Sequence, residues 1–126
     1  MKAKVLLVDD EPAVLKCLTS VLSRLGHQVT TAHSGEEALD HLEHRPYDLV
    51  VTDFRMPGIS GADVVEAIRE RQDDVAIILI TGLVDELPDW LRTGPESVRV
   101  LAKPFALGQF FQEIDRALRP AVALAR

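Results

Sequence analysis

Val50-Val51-Thr52-Asp53-Phe54-Arg55-Met56-Pro57-Gly58 joins an apolar run to one acidic residue and then to a Met-Pro-Gly turn. The stretch feeding it, Tyr47-Asp48-Leu49-Val50-Val51, reads as a buried strand. Asp53 therefore stands at the carboxyl end of a strand, and the turn carries the chain away from it. Working outward, two other stretches match it. Val5-Leu6-Leu7-Val8 stops at Asp9-Asp10, and the apolar run Val98–Leu101 is followed by Lys103-Pro104. Strands apolar on both faces belong in the middle of a parallel sheet.

The segments between these runs have helical period. Glu11-Pro12 opens a first helix, proline being tolerated at a first helical position and acid suiting the helix N-terminus. Val14, Leu18, Val21, Leu22 and Leu25 form its stripe, and Gly26 is placed to end it. Gln28–Ala32 is a second strand. Ser34 and Glu37 have capping-box spacing at the start of a second helix, which buries Ala38, Leu39 and Leu42. A third helix begins at Ser60 or Gly61 and turns Val64, Ala67 and Ile68 inward. Val75–Ile80, the most apolar strand, ends at Thr81-Gly82. Pro88 and Gly94-Pro95 confine the fourth helix to about Pro88–Thr93. The last helix runs from about Ala106 to Arg119, with Leu107, Phe110, Phe111, Ile114 and Leu118 as its stripe. Pro120 stops it, leaving 121–126 as a tail or the start of a linker after a single domain over 1–120.

Composition sets the outer bounds. A chain of 126 residues, 47% of them apolar, can bury one substantial core. A net charge of −6 without a basic cluster gives no footprint for direct nucleic-acid binding or for an anionic membrane surface. No apolar run is long enough to span a bilayer, and the N-terminus has no signal-peptide pattern. Cys17 is the single cysteine, which excludes an internal disulfide and fits a reducing cytoplasm.

Five strands alternating with five helices define an α/β fold, a doubly wound parallel sheet with right-handed crossovers. In such sheets ligands bind beyond the carboxyl ends of the strands. Asp9-Asp10, Asp53, Thr81 and Lys103 all fall there. Clustered carboxylates repel one another, and a divalent cation relieves the repulsion. Hard oxygen ligands without histidine or cysteine suit Mg²⁺. A cation, an ammonium and a hydroxyl around one carboxylate suit a phosphoryl-accepting site, with Asp53 as the nucleophile.

These elements resemble, over residues 3–119, the receiver domain of bacterial two-component response regulators. The resemblance rests on Leu7-Val8-Asp9-Asp10-Glu11, on Asp53-Phe54-Arg55-Met56-Pro57-Gly58, on Thr81-Gly82 and on Lys103-Pro104-Phe105. It implies a flavodoxin-like sheet of order 2-1-3-4-5 and a phosphorelay switch that catalyses only its own phosphorylation and dephosphorylation. Asp53 is then the phospho-acceptor. Asp10 is a direct Mg²⁺ ligand, Asp9 acts mainly through water, and Asp53 with the Arg55 backbone carbonyl completes the protein's share of the shell. Thr81 and Lys103 engage the phosphoryl group, and the Lys103–Pro104 bond is cis. The implied partners are a histidine kinase or a histidine phosphotransfer protein. A second copy or an output domain would dock on the surface of helix 4, strand 5 and helix 5.

Two departures stand out. The switch position three residues before the lysine is Val100, where receivers usually carry Tyr or Phe. Gly94–Leu101 looks more like receivers joined to hybrid histidine kinases. Leu83, one of two positions associated with phosphoryl lifetime beside Arg55, cannot orient a water, so slow self-hydrolysis is expected.

Other functions fit less well. A phosphatase of the aspartyl-phosphate type wants a second acid two residues after the nucleophile, and Arg55 stands there. An FMN binder wants a hydroxyl- and glycine-rich loop after the first strand, and Asp9-Asp10-Glu11 would repel the phosphate. A receiver-like module working without phosphorylation should lack part of the acid–lysine set. His41 and His44 read as a solvated helix face, His27 and His33 as surface residues, Cys17 as core, and Trp90 as half-buried or part of a partner surface.

Overall fold

The computed structural model describes residues 2–71, 74–92 and 98–118. The chain alternates β1 (Lys4–Val8), α1 (Pro12–Arg24), β2 (Gln28–Ala32), α2 (Gly35–His44), β3 (Leu49–Asp53), α3 (Gly61–Glu70) and β4 (Ala76–Thr81). A 3-10 turn (Val84–Glu86), α4 (Asp89–Arg92), β5 (Val98–Ala102) and α5 (Leu107–Leu118) follow. All strand pairings are parallel, and the order is β2-β1-β3-β4-β5, as the resemblance implied. Gly94-Pro95, Pro120 and the tail 121–126 lie outside the described residues.

Each central strand feeds two cores because its side chains alternate between the faces of the sheet. Leu6, Val8, Val50, Ile77 and Leu79 pack under α2 and α3 with Ala38, Leu42, Val64, Val65 and Ile68. Leu7, Val51, Ile78 and Ile80 pack under α1 and α5 with Leu15, Leu18, Leu22, Phe110 and Ile114. The β4 side chains Ile77–Ile80 are at most 2% exposed. Each contributes about 1.5–3 kcal/mol relative to an exposed position.

Register brings the strand ends together. Val8 pairs with Thr52, so the next residues, Asp9 and Asp53, leave the sheet side by side. Asp53 pairs with Ile80, and Thr81 with Ala102, one residue before Lys103.

The helix starts follow their local chemistry. Ser60 caps α3 in a full capping box, accepting from the Asp63 N–H while Asp63 accepts from the Ser60 N–H. Ser34 likewise accepts from the Glu37 N–H, but Glu37 reaches one residue further back, to the His33 N–H at 3.0 Å. Pro12 occupies the first turn of α1. The Lys103–Pro104 bond is cis.

Several orientations differ from expectation. Leu25, expected in the buried stripe of α1, is 45% exposed, and Leu15 takes the inner position instead. Cys17 is exposed rather than core, because the packed face of α1 runs through Leu15, Leu18 and Leu22. Leu107 and Phe111, expected in the stripe of α5, are largely exposed, whereas Phe110 and Ile114 are buried as expected and Ala117 joins them. His27 is half-buried, its Nδ1 accepting the Ala3 N–H at 3.1 Å, and so is not a plain surface residue. Trp90 on α4 is 38% exposed, with the Arg69 guanidinium 5.5 Å from its ring centroid.

Candidate phosphoryl-accepting site

Asp9, Thr52, Asp53 and Thr81 are buried polar residues among mostly apolar ones, and Asp9, Asp53 and Thr81 sit at the carboxyl edge of the sheet. Each is held by backbone that leaves its strand in good order. The Asp9 N–H donates to the Ala32 carbonyl, and its Oδ1 accepts from the Glu11 N–H at 2.9 Å. The Phe54 N–H donates to the Ile80 carbonyl, and the Lys103 N–H donates to the Thr81 carbonyl at 2.7 Å. Main-chain bonds thus lock the ends of β3, β4 and β5 to one another.

Gly61 completes the frame. A Cβ there would lie 2.3 Å from the Asp53 carbonyl oxygen and 2.9 Å from the Phe54 Cα. The first turn of α3 therefore sits directly against the backbone of the acidic residue. A glycine at this point was visible in the sequence, but nothing there showed which backbone it would approach.

The side chains converge. Carboxylate oxygens of Asp9, Asp10 and Asp53 all lie within 4.8 Å of one another. The Lys103 Nζ is 3.1 Å from the Asp53 Oδ1. Burial raises the Asp53 pKa, and the hydrogen bond and charge of Lys103 only partly offset it. Burial also pushes Asp9 to about 6, helped by the neighbouring Asp53 charge and opposed by the Glu11 N–H and Lys103. Burial lowers the Lys103 pKa, but its bond to Asp53 and the nearby acids outweigh that and hold it above the ordinary lysine value. The site is a negative well with one ammonium at its edge.

Its donor set fits a hard divalent cation. The three acids offer only oxygen. Oxygens this close together could share one such ion, directly or through its waters.

Thr81 is 3% exposed, but its hydroxyl turns to the next loop, accepting from the Leu83 N–H at 3.2 Å and donating to its carbonyl at 3.3 Å. Leu83 itself is 59% exposed. Val100, half-buried, packs against the α2–α3 core and pairs with Leu79. Arg55 is turned outward, its guanidinium bound by both carboxylate oxygens of Glu86. Sequence reasoning did not find Glu86, which lies 31 residues away in an irregular loop.

The histidines stand apart from this site. His33 and His41 face Glu37, and His44 faces Asp40. His44, Asp40 and Glu43 approach within 4.8 Å, all of them exposed.

The response regulator receiver domain model matches residues 5–115, and the chain belongs to this family. Its members are phosphoacceptor switches in two-component signalling, working with histidine kinases and output domains. The response regulator PilR of Pseudomonas aeruginosa is 36% identical over 94% of the chain. A response regulator receiver domain protein from Clostridium thermocellum superposes with a TM-score of 0.84 at 30% identity, over 97% of this chain and 98% of that one. The response regulator TrrA of Thermotoga maritima, solved in complex with Mg²⁺-BeF, superposes with a TM-score of 0.81 at 35% identity, over 94% and 100%. The chain spans 26% of the length of PilR and 26% to 52% of the transcriptional regulators among its curated relatives. Among the described residues no helix is long and apolar enough to cross a membrane.

Proposed function

We propose that Asp53 accepts a phosphoryl group from a phosphohistidine, and that Thr81 and Lys103 relay the change to the surface formed by α4, β5 and α5. The observation that carries this reading is the Lys103 Nζ at 3.1 Å from an Asp53 whose oxygens cluster with those of Asp9 and Asp10. Asp9, Asp10, Asp53 and the Arg55 carbonyl would hold Mg²⁺, which when bound neutralises the acids and the transferring oxygens.

A carboxylate oxygen of Asp53 attacks phosphorus. The P–N bond to the donor imidazole breaks, and its electron pair returns to the ring nitrogen, which then takes a proton from solvent. The product is an acyl phosphate on Asp53. Lys103, already beside Oδ1, meets the charge that gathers on the phosphoryl oxygens. Burial keeps Asp53 from competing water, and Leu83 offers no group to orient a hydrolytic one. The new dianion offers the Thr81 hydroxyl a stronger acceptor than the Leu83 carbonyl, drawing the loop after β4 with it.

On this reading residues 1–120 are the receiver unit, acting in the cytoplasm and changing no substrate but itself. The donor is a histidine kinase or a histidine phosphotransfer protein. The receiving partner on the α4–β5–α5 surface is an output domain or a second copy. Intact-mass analysis after incubation with acetyl phosphate and Mg²⁺ tests the proposal. One added phosphoryl group is expected, abolished by EDTA and by Asp53→Asn. A label mapping to serine or histidine would overturn it.

A further inference from the structure

Two loops leave the carboxyl ends of adjacent strands β3 and β4, and an ion pair between Arg55 and Glu86 joins them. Arg55 lies two residues past Asp53. Its Nε donates to the Glu86 Oε2 at 3.0 Å, and its Nη2 donates to Oε1. The contact is bidentate, the geometry in which the guanidinium fork is most selective. Glu86 ends the 3-10 turn Val84–Glu86.

That turn is solvent-exposed along Val84–Glu86. Leu83 and Val84 are 59% and 39% exposed, and its main-chain bonds are Glu86 N–H to the Leu83 carbonyl and Leu87 N–H to the Val84 carbonyl. Leu87, 3% exposed, is the apolar anchor at its far end. At its near end Thr81 is bonded to Leu83. A segment with few buried contacts opens at low cost, so one well-formed ion pair carries weight in setting its position.

We propose that Glu86 is a positioning residue for phosphoryl transfer. It holds the Arg55 guanidinium away from Asp53 and latches the β4–α4 loop in its resting arrangement, until a phosphoryl group on Asp53 draws Arg55 across. This rests on the phosphoacceptor reading above. A guanidinium matches carboxylate and phosphate equally well in shape, so charge decides between them. An aspartyl phosphate carries more negative charge than Glu86 and offers three acceptor oxygens. As Arg55 changes partner, Glu86 is released. The turn is then free at the moment Thr81 must leave Leu83. The latch thus opposes premature switching and its release accompanies the phosphorylated state.

The test is a double-mutant cycle on the whole chain, with beryllium fluoride and Mg²⁺ as the phosphoryl mimic and calorimetry as the readout. Glu86→Ala should tighten beryllofluoride binding about two- to fivefold at low salt, the range by which exposed ion pairs shift an equilibrium. The gain should vanish when Arg55 is already Met, and shrink in about 0.5 M salt. No gain, or the same gain in the Arg55→Met background, overturns the latch while leaving Asp53 as acceptor. A wild-type chain that binds no beryllofluoride counts against the acceptor reading, and the latch is then judged in the resting protein by hydrogen exchange. Glu86 and Leu87 amides should exchange faster in either single variant, and no faster in the double. Unchanged exchange in both singles overturns it.

Discussion

Thr81 spends its hydroxyl on Leu83, accepting from its N–H at 3.2 Å and donating to its carbonyl at 3.3 Å. The residue is buried at the end of β4, one strand over from Asp53, so the bond must break before the hydroxyl can serve a phosphoryl group. Thr81→Ala should therefore accept phosphoryl groups on Asp53 but fail to pass the change on. Trp90 is the sole tryptophan and sits on α4, which makes its fluorescence a reporter of that passage. Phosphorylation should change Trp90 emission in the wild type and in Thr81→Ser, and leave it nearly unchanged in Thr81→Ala. The loss of the local bonds should cost about 1 kcal/mol in denaturant unfolding.

Asp9 links cation binding to pH. Burial lifts its pKa from 3.8 to about 6, with the Asp53 charge adding to the effect. A carboxyl must lose its proton to ligate, so Mg²⁺ affinity should fall roughly tenfold between pH 7 and pH 5. The sign for stability is the opposite. A raised acid stabilises the fold fully below pH 3.8, and that stability is lost as pH rises through about 6, a difference of about 3 kcal/mol without metal. Asp9→Asn should flatten both dependences. Calorimetric Mg²⁺ titrations at pH 5, 6 and 7 check the first, and metal-free urea curves over the same range check the second.

His27 titrates in the reverse sense. Burial, with the N-terminal charge, lowers its pKa below 6.5. Its neutral ring accepts the Ala3 N–H where β1 and β2 begin. The stability it gives is present above pH 6.5 and lost as pH falls through 6.5 toward the lower folded value. His27→Gln should abolish that part of the acid destabilisation, read as a smaller loss of stability between pH 7 and pH 5.5 than in the wild type. The comparison is best made in the Asp9→Asn background, which removes one of the opposing titrations and leaves that of Asp53.

The strand-end charges were legible because a parallel sheet imposes one rule on all of them. Asp9, Asp53, Thr81 and Lys103 follow apolar runs, and a sheet of this order collects such residues on one edge. Helix phase was not legible where two apolar residues adjoin. Val14-Leu15, Val21-Leu22 and Phe110-Phe111 each offer two stripes about 100° apart, and tertiary packing decides between them. The same rotation puts Cys17 outside. The Arg55–Glu86 pair was hidden for another reason: neither loop has a period, so nothing in the sequence sets the distance between them.

The two adjacent phenylalanines turn that ambiguity into a measurement. Phe110 is 0% exposed and packs with Leu7, Ile80 and Ile114, whereas Phe111 is 39% exposed. Phe110→Ala should cost about 3–5 kcal/mol, enough to leave the chain marginal. Phe111→Ala should cost about 0.5 kcal/mol or less. Similar losses at both positions would mean that α5 is rotated from the arrangement described.

Gly61 ties the proposed acceptor, Asp53, to the fold most directly. Its missing side chain lets α3 begin against the Asp53 carbonyl, where a methyl group would come to 2.3 Å, and against the Leu79 side chain, where it would come to 2.8 Å. Backbone cannot yield as a flexible side chain can, so Gly61→Ala must move either α3 or the end of β3. The Gly61 N–H bond to the Phe54 carbonyl, at 2.8 Å, transmits that shift to the loop after Asp53. A destabilisation of about 1–3 kcal/mol is expected. The sharper expectation is functional. Under conditions where the variant remains folded, phosphoryl uptake from acetyl phosphate should fall by about tenfold or more, because a misplacement near 1 Å is costly in a positioned reaction. Gly82→Ala serves as the control, since nothing lies within 4 Å of a Cβ there. Uptake by Gly61→Ala equal to that of Gly82→Ala would show that the acceptor tolerates movement of its own strand end.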